Sequence, residues 1–219
     1  MTIQNKSIET TKRIGVGLSF IIFPIIFIFA FAGHPNLLSP KFLGPVELIQ
    51  RARNDSLLHL GHALVTLGTG PLVVVALHFM NILKGKSTAW LGFIGGVLAI
   101  FGALMLAADK GALCLTMSAL DTLTEEQFTH MMPGLIAMYN KEGWLILIWG
   151  LLFLPIGFLI QAIGLLKINN LSKWQSVLFL VGVLFIGTPD GVEIVNLTAS
   201  IIIAIAFIPC GIKLIKNNY

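Results

Sequence analysis

Long apolar runs recur along this chain and are separated by short polar connections. A helix needs about 20 mostly apolar residues to cross about 30 Å of hydrocarbon. Six segments meet or approach that length, and they predict an all-α, polytopic transmembrane bundle of six helices. The six segments are Ile14–Ala32, Leu57–Leu83, Ala89–Ala108, Trp144–Leu166, Trp174–Ile186 and Ile194–Ile212. The fifth segment is shorter than the others.

The composition agrees with a membrane location. Only 11% of the 219 residues are charged and 56% are hydrophobic, whereas a soluble domain carries roughly 25% charged residues. Charge at about half that level cannot cover a water-exposed surface, so apolar side chains must face lipid. A chain of this length forms one compact unit. We therefore expect a single integral membrane domain over residues 1–219, with the lipid bilayer as its partner.

The first apolar run has two interpretations. Lys12 and Arg13 precede it, and it ends in Ala30-Phe31-Ala32, a sequence that resembles a signal-peptidase site. The run is about 18 residues long, which exceeds the 7–15 residues of an ordinary signal-peptide core. We therefore interpret it as a retained transmembrane helix.

The basic residues predict the orientation of the bundle. Nine of the 14 basic residues lie on one side of the predicted membrane. The nine are Lys6, Lys12, Arg13, Lys84, Lys86, Lys167, Lys173, Lys213 and Lys216. The positive-inside rule makes that side the cytoplasmic one, so we predict a cell-membrane protein with both termini in the cytoplasm. Short basic flanks of apolar runs are membrane-topology signals and do not indicate a nucleic-acid partner.

The opposite, outer side is acidic. It carries five basic and nine acidic residues, a formal charge of −4. Acidic residues contribute little to topology, so this excess needs another cause. It predicts a preference for cationic or neutral partners, unless a local basic group such as Arg51, Arg53 and Lys110 outweighs the average.

Two outer stretches are long enough to be structured. Gly44-Pro45 begins a helical pattern, because proline suits the first turn of a helix. In the loop over residues 109–143, Thr124-Glu125-Glu126-Gln127 predicts a capping box that opens a short helix. Pro133-Gly134 is expected to end that helix.

Small and polar residues within the spans predict how the helices pack. Gly150, Gly157 and Gly164 recur every seven residues along one ridge, and small residues let helix backbones approach closely in lipid. We favour packing inside the monomer over a dimer seam, and no oligomeric state is predicted. Gln161 lies one turn from Gly157 and is expected to form a hydrogen bond to a neighbouring helix.

Ionisable residues at membrane depth mark the candidate site. Asp55, His59 and His62 are spaced by four and three residues, so they share one face of the outer half of helix two. Such groups are costly in a membrane and usually face a bundle interior or a water-filled cavity. The candidate ligand-binding residues, all on the outer side, are His59, His62, Asp109, Asp190 and Glu193. The alternative is that the histidines only pack helices and Asp55 caps one.

Metal and cofactor sites are less well supported. Imidazole and carboxylate groups suit divalent metals, which makes Asp55, His59 and His62 candidate ligands. No motif supports this, because His59 and His62 lack the glutamate and spacing of HExxH. Haem is disfavoured because spans other than helix two contain no histidine. Copper at Cys114 and the neighbouring outer methionines is disfavoured because such methionines usually fill packing gaps.

The layout of Leu58–Lys84, Trp90–Asp109 and Trp144–Lys167 resembles a group of uncharacterised bacterial six-helix membrane proteins of about this length. The shared features are a second helix rich in small residues, a lysine-bearing cytoplasmic turn, an acidic end to helix three and a long outer loop. The resemblance implies the fold and carries no activity or catalytic residues. Substrate-capture subunits of vitamin transporters also have six helices and cytoplasmic termini, an analogy of fold alone.

Three functions are compatible with these observations. The first is a binding or transport module for a small or lipid-like molecule that enters from the outer side. The second is a metal-dependent membrane hydrolase acting on a lipid, and the third is a structural or immunity-type membrane protein without a small-molecule site. The outer polar residues and Pro71 in helix two favour the first, because broken helices often border binding cavities. No nucleotide-binding or catalytic motif appears, so no enzyme activity is assigned.

Overall fold

The computed structural model describes residues 3–35, 37–140, 150–168, 171–187 and 192–216, and these ranges contain helices and no strand. The helices are α1 (Ile3–Ala32), α2 (Pro45–Ala52), α3 (Ser56–Leu83), α4 (Ala89–Leu120), α5 (Glu125–Tyr139), α6 (Phe153–Ile168), α7 (Lys173–Phe185) and α8 (Glu193–Lys216). A 3-10 turn at Gly150–Leu152 precedes α6.

Among the described residues, five helical segments are long and apolar enough to cross a membrane. They are Ser7–Ala32, Ser56–Leu83, Ala89–Leu120, Gly150–Ile168 and Glu193–Lys216. Helix α7 is also apolar but has only 13 residues, which span about 20 Å. The five helices indicate a multi-pass membrane protein, whereas the count of six spans stays a prediction. The first residues of the predicted span Trp144–Leu166 lie outside the described ranges.

Six helices pack into a closed ring in the order α1, α3, α4, α6, α7, α8 and back to α1, with a further contact between α3 and α6. Aromatic side chains fill its centre. Phe20, Phe79, Phe179 and Phe207 come from four different helices and are all fully buried. Contacting pairs among them have ring centroids 4.6 to 5.8 Å apart, a favourable separation for aromatic packing.

The close contact between α4 and α6 depends on a glycine. A Cβ atom added at Gly157 would lie 2.5 Å from the carbonyl oxygen of Gly95, so only glycine allows this approach. One turn later, the buried Gln161 amide donates to the carbonyl oxygens of Ala76 at 3.0 Å and Gly92 at 3.3 Å. The predicted hydrogen bond to a neighbouring helix is confirmed, and both contacts lie within the monomer.

We call the end of the bundle that carries α2, α5 and the first turn of α8 the outer end, after the orientation predicted from sequence. Here the third predicted span differs from expectation. It does not end near Asp109 but continues as α4 to Leu120, because Met117 and Leu120 are buried against residues of α2, α3 and α5. Asp109 and Lys110 therefore lie within a helix.

Helix α5 begins as predicted and ends later than predicted. The Gln127 side chain accepts from the Thr124 amide at 3.0 Å, and the Gln127 amide donates to the Thr124 hydroxyl at 3.3 Å, which confirms the capping box. The expectation that Pro133-Gly134 ends the helix was wrong. Phe128 and Leu135, on either side of the proline, are both buried in one cluster, and this packing offsets the proline's lost hydrogen bond.

Candidate functional site

The turn between α2 and α3 sets the position of the candidate residues. Asn54 adopts a positive φ of 59°, a left-handed conformation that asparagine tolerates. Its amide donates to the Asp121 carboxylate at 2.8 Å. The Asp55 side chain accepts from the Leu58 amide at 2.9 Å and so caps α3. The turn is therefore attached to the end of α4, and Asp55 acts as a helix cap.

His59 holds the outer elements together. Its Nε2 atom lies 2.9 Å from the Ala52 carbonyl oxygen in α2. Its Nδ1 atom lies 3.4 Å from the Asp121 carboxylate at the end of α4. The side chain is mostly buried, and both ring nitrogens have partners. These contacts account for a histidine at this depth without a ligand.

His62 lies three residues further along α3 and faces a different neighbourhood. It lines a cleft at the outer end with about 410 Å³ of empty space, part of which is open to solvent. The cleft is bordered by the connection after α1 and by α2, α3, α4, α5 and α8. Its lining residues are His34, Leu48, Arg51, Ala52, Leu58, His62, Lys110, Leu113, Met117, Tyr139 and Glu193.

The carboxylate of Glu193 is the most buried charged group of the cleft. The side chain is only 4% exposed. Glu193 is the first residue of α8, where the helix dipole favours negative charge. It lies 3.2 Å from Nδ1 of His34 and 3.5 Å from the guanidinium of Arg51. The same guanidinium donates to the Pro35 carbonyl oxygen. A buried carboxylate needs such partners, and here they join the connection after α1, α2 and α8.

Two side chains that line the cleft contain a buried nitrogen atom without a partner in the described part of the chain. Nδ1 of His62 and Nε of Arg51 are buried and have no hydrogen-bond partner within the described part of the chain. The Lys110 ammonium lies 3.1 Å from the Asp109 carboxylate, but only Lys110 lines the cleft. The Glu193 carboxylate already contacts two basic groups. The side chains that line the cleft therefore offer a ligand more hydrogen-bond donors than acceptors.

The structure brings together two of the five predicted ligand-binding residues. His62 and Glu193 line the same cleft. His59 contacts Asp121 instead. Asp109 does not line the cleft but forms an ion pair with Lys110, which does. The fifth residue, Asp190, lies outside the described residues.

Two residues that the candidate set omitted are central to the cleft. His34 follows α1 in an irregular connection, where no periodicity indicates which way a side chain faces. Arg51 could have been found, because Arg51 and Ala52 follow Leu48 by three and four residues and therefore share one face of α2 with it. A basic residue on an otherwise apolar helix face is a signal for a buried ion pair.

The predicted metal ligands lie in separate surroundings. Asp55 caps α3, His59 contacts Asp121, and His62 lies 6.1 Å from His34 between ring centroids. Over the described ranges, no group of three His, Cys, Asp or Glu residues is arranged to hold a metal ion. The divalent-metal hypothesis stays a prediction from the sequence.

No family model, curated protein or solved structure matches this chain. The class of protein therefore follows from the chain's own chemistry, which is that of an all-helical, multi-pass membrane protein. The cleft at the outer end is the feature from which a function can be argued.

Proposed function

We propose that this protein binds a small or lipid-like molecule in the outer cleft, entered from the outer side of the membrane, with both termini in the cytoplasm. The observation that carries the proposal is a recess at one end of an apolar bundle with charged residues in its wall, among them the buried, ion-paired Glu193. Ionisable residues at membrane depth are costly and usually functional. The enclosed part of the cleft is small, about 50 Å³, and lies below the ordinary range for small-molecule sites, so a ligand would also occupy the part that is open to solvent.

The lining of the cleft suits a molecule with two chemical ends. His34, Arg51 and His62 supply polar groups, whereas Leu58 and Leu113 supply apolar surface. Ligand sites commonly combine apolar walls with a few polar groups that orient the ligand. A molecule with a polar head and an apolar chain would satisfy both parts of this lining.

The centre of the bundle favours binding over a continuous pore. The fully buried rings of Phe20, Phe79, Phe179 and Phe207 pack against one another there. Passage of a solute along the ring axis would require these rings to separate. We therefore place binding before transport, and a transport role would need a second conformation of α1, α3, α7 and α8.

The test compares two leucines on α4. Leu113 lines the cleft, whereas Leu115, two residues later, is 74% exposed. Leu113→Trp should fill the cleft and Leu115→Trp should not. Each protein is purified in a mild detergent, and the small molecules and lipids that remain bound are extracted and identified by mass spectrometry.

We expect one molecule or lipid class to be retained by the wild-type protein and Leu115→Trp and to be lost from Leu113→Trp. Because both variants carry the same added ring on the same helix, a difference between them reports on the cleft. An identical profile of bound molecules in all three proteins would contradict the proposal.

A further inference from the structure

We infer that the molecule bound in the outer cleft is an anionic amphiphile, with a phosphate or carboxylate head beside Lys110, Arg51 and His62 and an apolar chain against Leu58 and Leu113. The inference rests on the proposed binding function and names its ligand class. It is opposite to the expectation from the average charge of the outer side.

The local charges in the cleft differ from that average. Its charged lining residues are Arg51, Lys110 and Glu193, so basic groups outnumber acidic ones. Glu193 is already within 3.5 Å of both Arg51 and His34. A cationic ligand would have to compete with these two groups for the only carboxylate among the described lining residues.

The unsatisfied groups in the cleft wall also favour an anion. Nε of Arg51 is a donor, and Nδ1 of His62 is a donor in one tautomer of the neutral ring; neither has a partner in the described ranges. The Lys110 ammonium has three donors, and the carboxylate that it contacts, Asp109, is not a lining residue. Oxygen atoms of a phosphate or carboxylate would accept from the Lys110 ammonium in charge-assisted hydrogen bonds, whereas the two buried nitrogen atoms would first have to become exposed to the cleft.

The apolar part of the lining favours an amphiphile over a free ion. Leu48, Leu58, Leu113 and Met117 line the same cleft as the basic groups. A small inorganic anion would leave these side chains in contact with water. An alkyl chain laid against them would remove apolar surface from water, which stabilises the complex.

The test uses four probes and the full chain in a neutral detergent. The probes are dodecyl phosphate, dodecanol, dodecyltrimethylammonium and inorganic phosphate, and native mass spectrometry gives the bound fraction at each probe concentration. Lys110→Met removes the charge, and Lys110→Arg keeps it. Lys41→Met is the matched control, because Lys41 is also an outer lysine in a carboxylate pair, 2.7 Å from Glu47, and does not line the cleft.

We expect dodecyl phosphate to bind the wild-type protein, Lys110→Arg and Lys41→Met with similar affinity. Binding to Lys110→Met should be weaker by about tenfold or more, the effect of losing one hydrogen bond between charged groups. Leu113→Trp should also weaken binding, because the ring would occupy the space for the alkyl chain. Inorganic phosphate, dodecanol and dodecyltrimethylammonium should each bind the wild-type protein more weakly than dodecyl phosphate.

Each other outcome has a defined meaning. Inorganic phosphate that binds as tightly as dodecyl phosphate would show a free-anion site and overturn the amphiphile. If Lys110→Met and Lys41→Met lose the same affinity for dodecyl phosphate, the effect comes from overall surface charge, and the inference is overturned. Preferred binding of dodecanol or dodecyltrimethylammonium, lost in Leu113→Trp, would overturn the anionic head and leave the proposed function standing. If no probe responds to Leu113→Trp, the proposed function itself fails.

Discussion

Replacement of Glu193 by glutamine should destabilise the protein by about 2–4 kcal/mol, because it leaves a buried cation without its counter-charge. The Arg51 side chain is 11% exposed and lies 3.5 Å from the carboxylate. At that separation, and with an effective dielectric constant of about 20, the attraction is about 5 kcal/mol before desolvation is subtracted. Loss of one partner from a buried pair typically costs about 3–5 kcal/mol, and the bond from Arg51 to the Pro35 carbonyl should moderate this.

The measurement is a double-mutant cycle with Glu193→Gln, Arg51→Met and the double variant. Free energies of unfolding come from denaturant titration in detergent, followed by tryptophan fluorescence. The double variant should lose less stability than the two single losses combined, with a coupling of about 1–3 kcal/mol. The control is Glu125→Gln, because Glu125 pairs with Arg53 at 2.6 Å but is 81% exposed and should contribute less than about 1 kcal/mol. Additive losses, within about 0.5 kcal/mol, would refute the buried pair.

Three further predictions follow from other parts of the molecule. Gly157→Ala should destabilise by about 1–3 kcal/mol in chemical unfolding, because its Cβ would meet the α4 backbone. Gly134→Ala, with open space around it, should be neutral or stabilising by up to about 1 kcal/mol. Equal changes in the stability of the two variants would contradict the close packing of α4 and α6 at Gly157. A hydrogen bond from Lys41 lowers the pKa of Glu47 below 4.5. Its stabilisation of α2 should therefore be fully present above that pH and be lost as pH falls through the lower pKa. Amide exchange in α2 should then differ between wild type and Glu47→Gln at neutral pH and converge in acid, and a difference that persists in acid would refute this. A reporter that is active only in the cytoplasm should be active when it is fused after Tyr219. Activity of a periplasm-specific reporter at the same position would refute the predicted orientation.

The helical, membrane-type architecture could be predicted from sequence because its causes are local. In lipid, each backbone polar group must be satisfied within the segment, so a long apolar run has little choice but to form a helix. The capping box at Thr124 was equally readable, because its two hydrogen bonds join residues three apart. Gln161 was recognisable as an interhelical donor because an amide in an apolar span needs a partner. Such inferences need no knowledge of which helices are neighbours.

Local signals failed where packing outweighed them. Pro133-Gly134 is a strong helix breaker, yet α5 continues through it because Phe128 and Leu135 are buried on either side. An acidic residue at Asp109 suggested a helix end. Instead, α4 continues to Leu120 because its last turns are covered by other outer elements. Local propensity is worth at most a few kcal/mol per residue, and burial of large side chains can offset it.

The composition of the cleft depends on how the helices pack. Sequence spacing placed His59 and His62 on one helix face, but three residues along an α-helix still differ by about 60° in direction. That angle is enough for His59 to contact Asp121 while His62 lines the cleft with Glu193. Apolar length and charge are properties of single segments, so the amino-acid pattern was enough to predict polar groups at one end of an apolar helical bundle. Which groups meet depended on the closed helix ring, because residues far apart in sequence, such as His34 and Glu193, become neighbours only when α1 and α8 pack together.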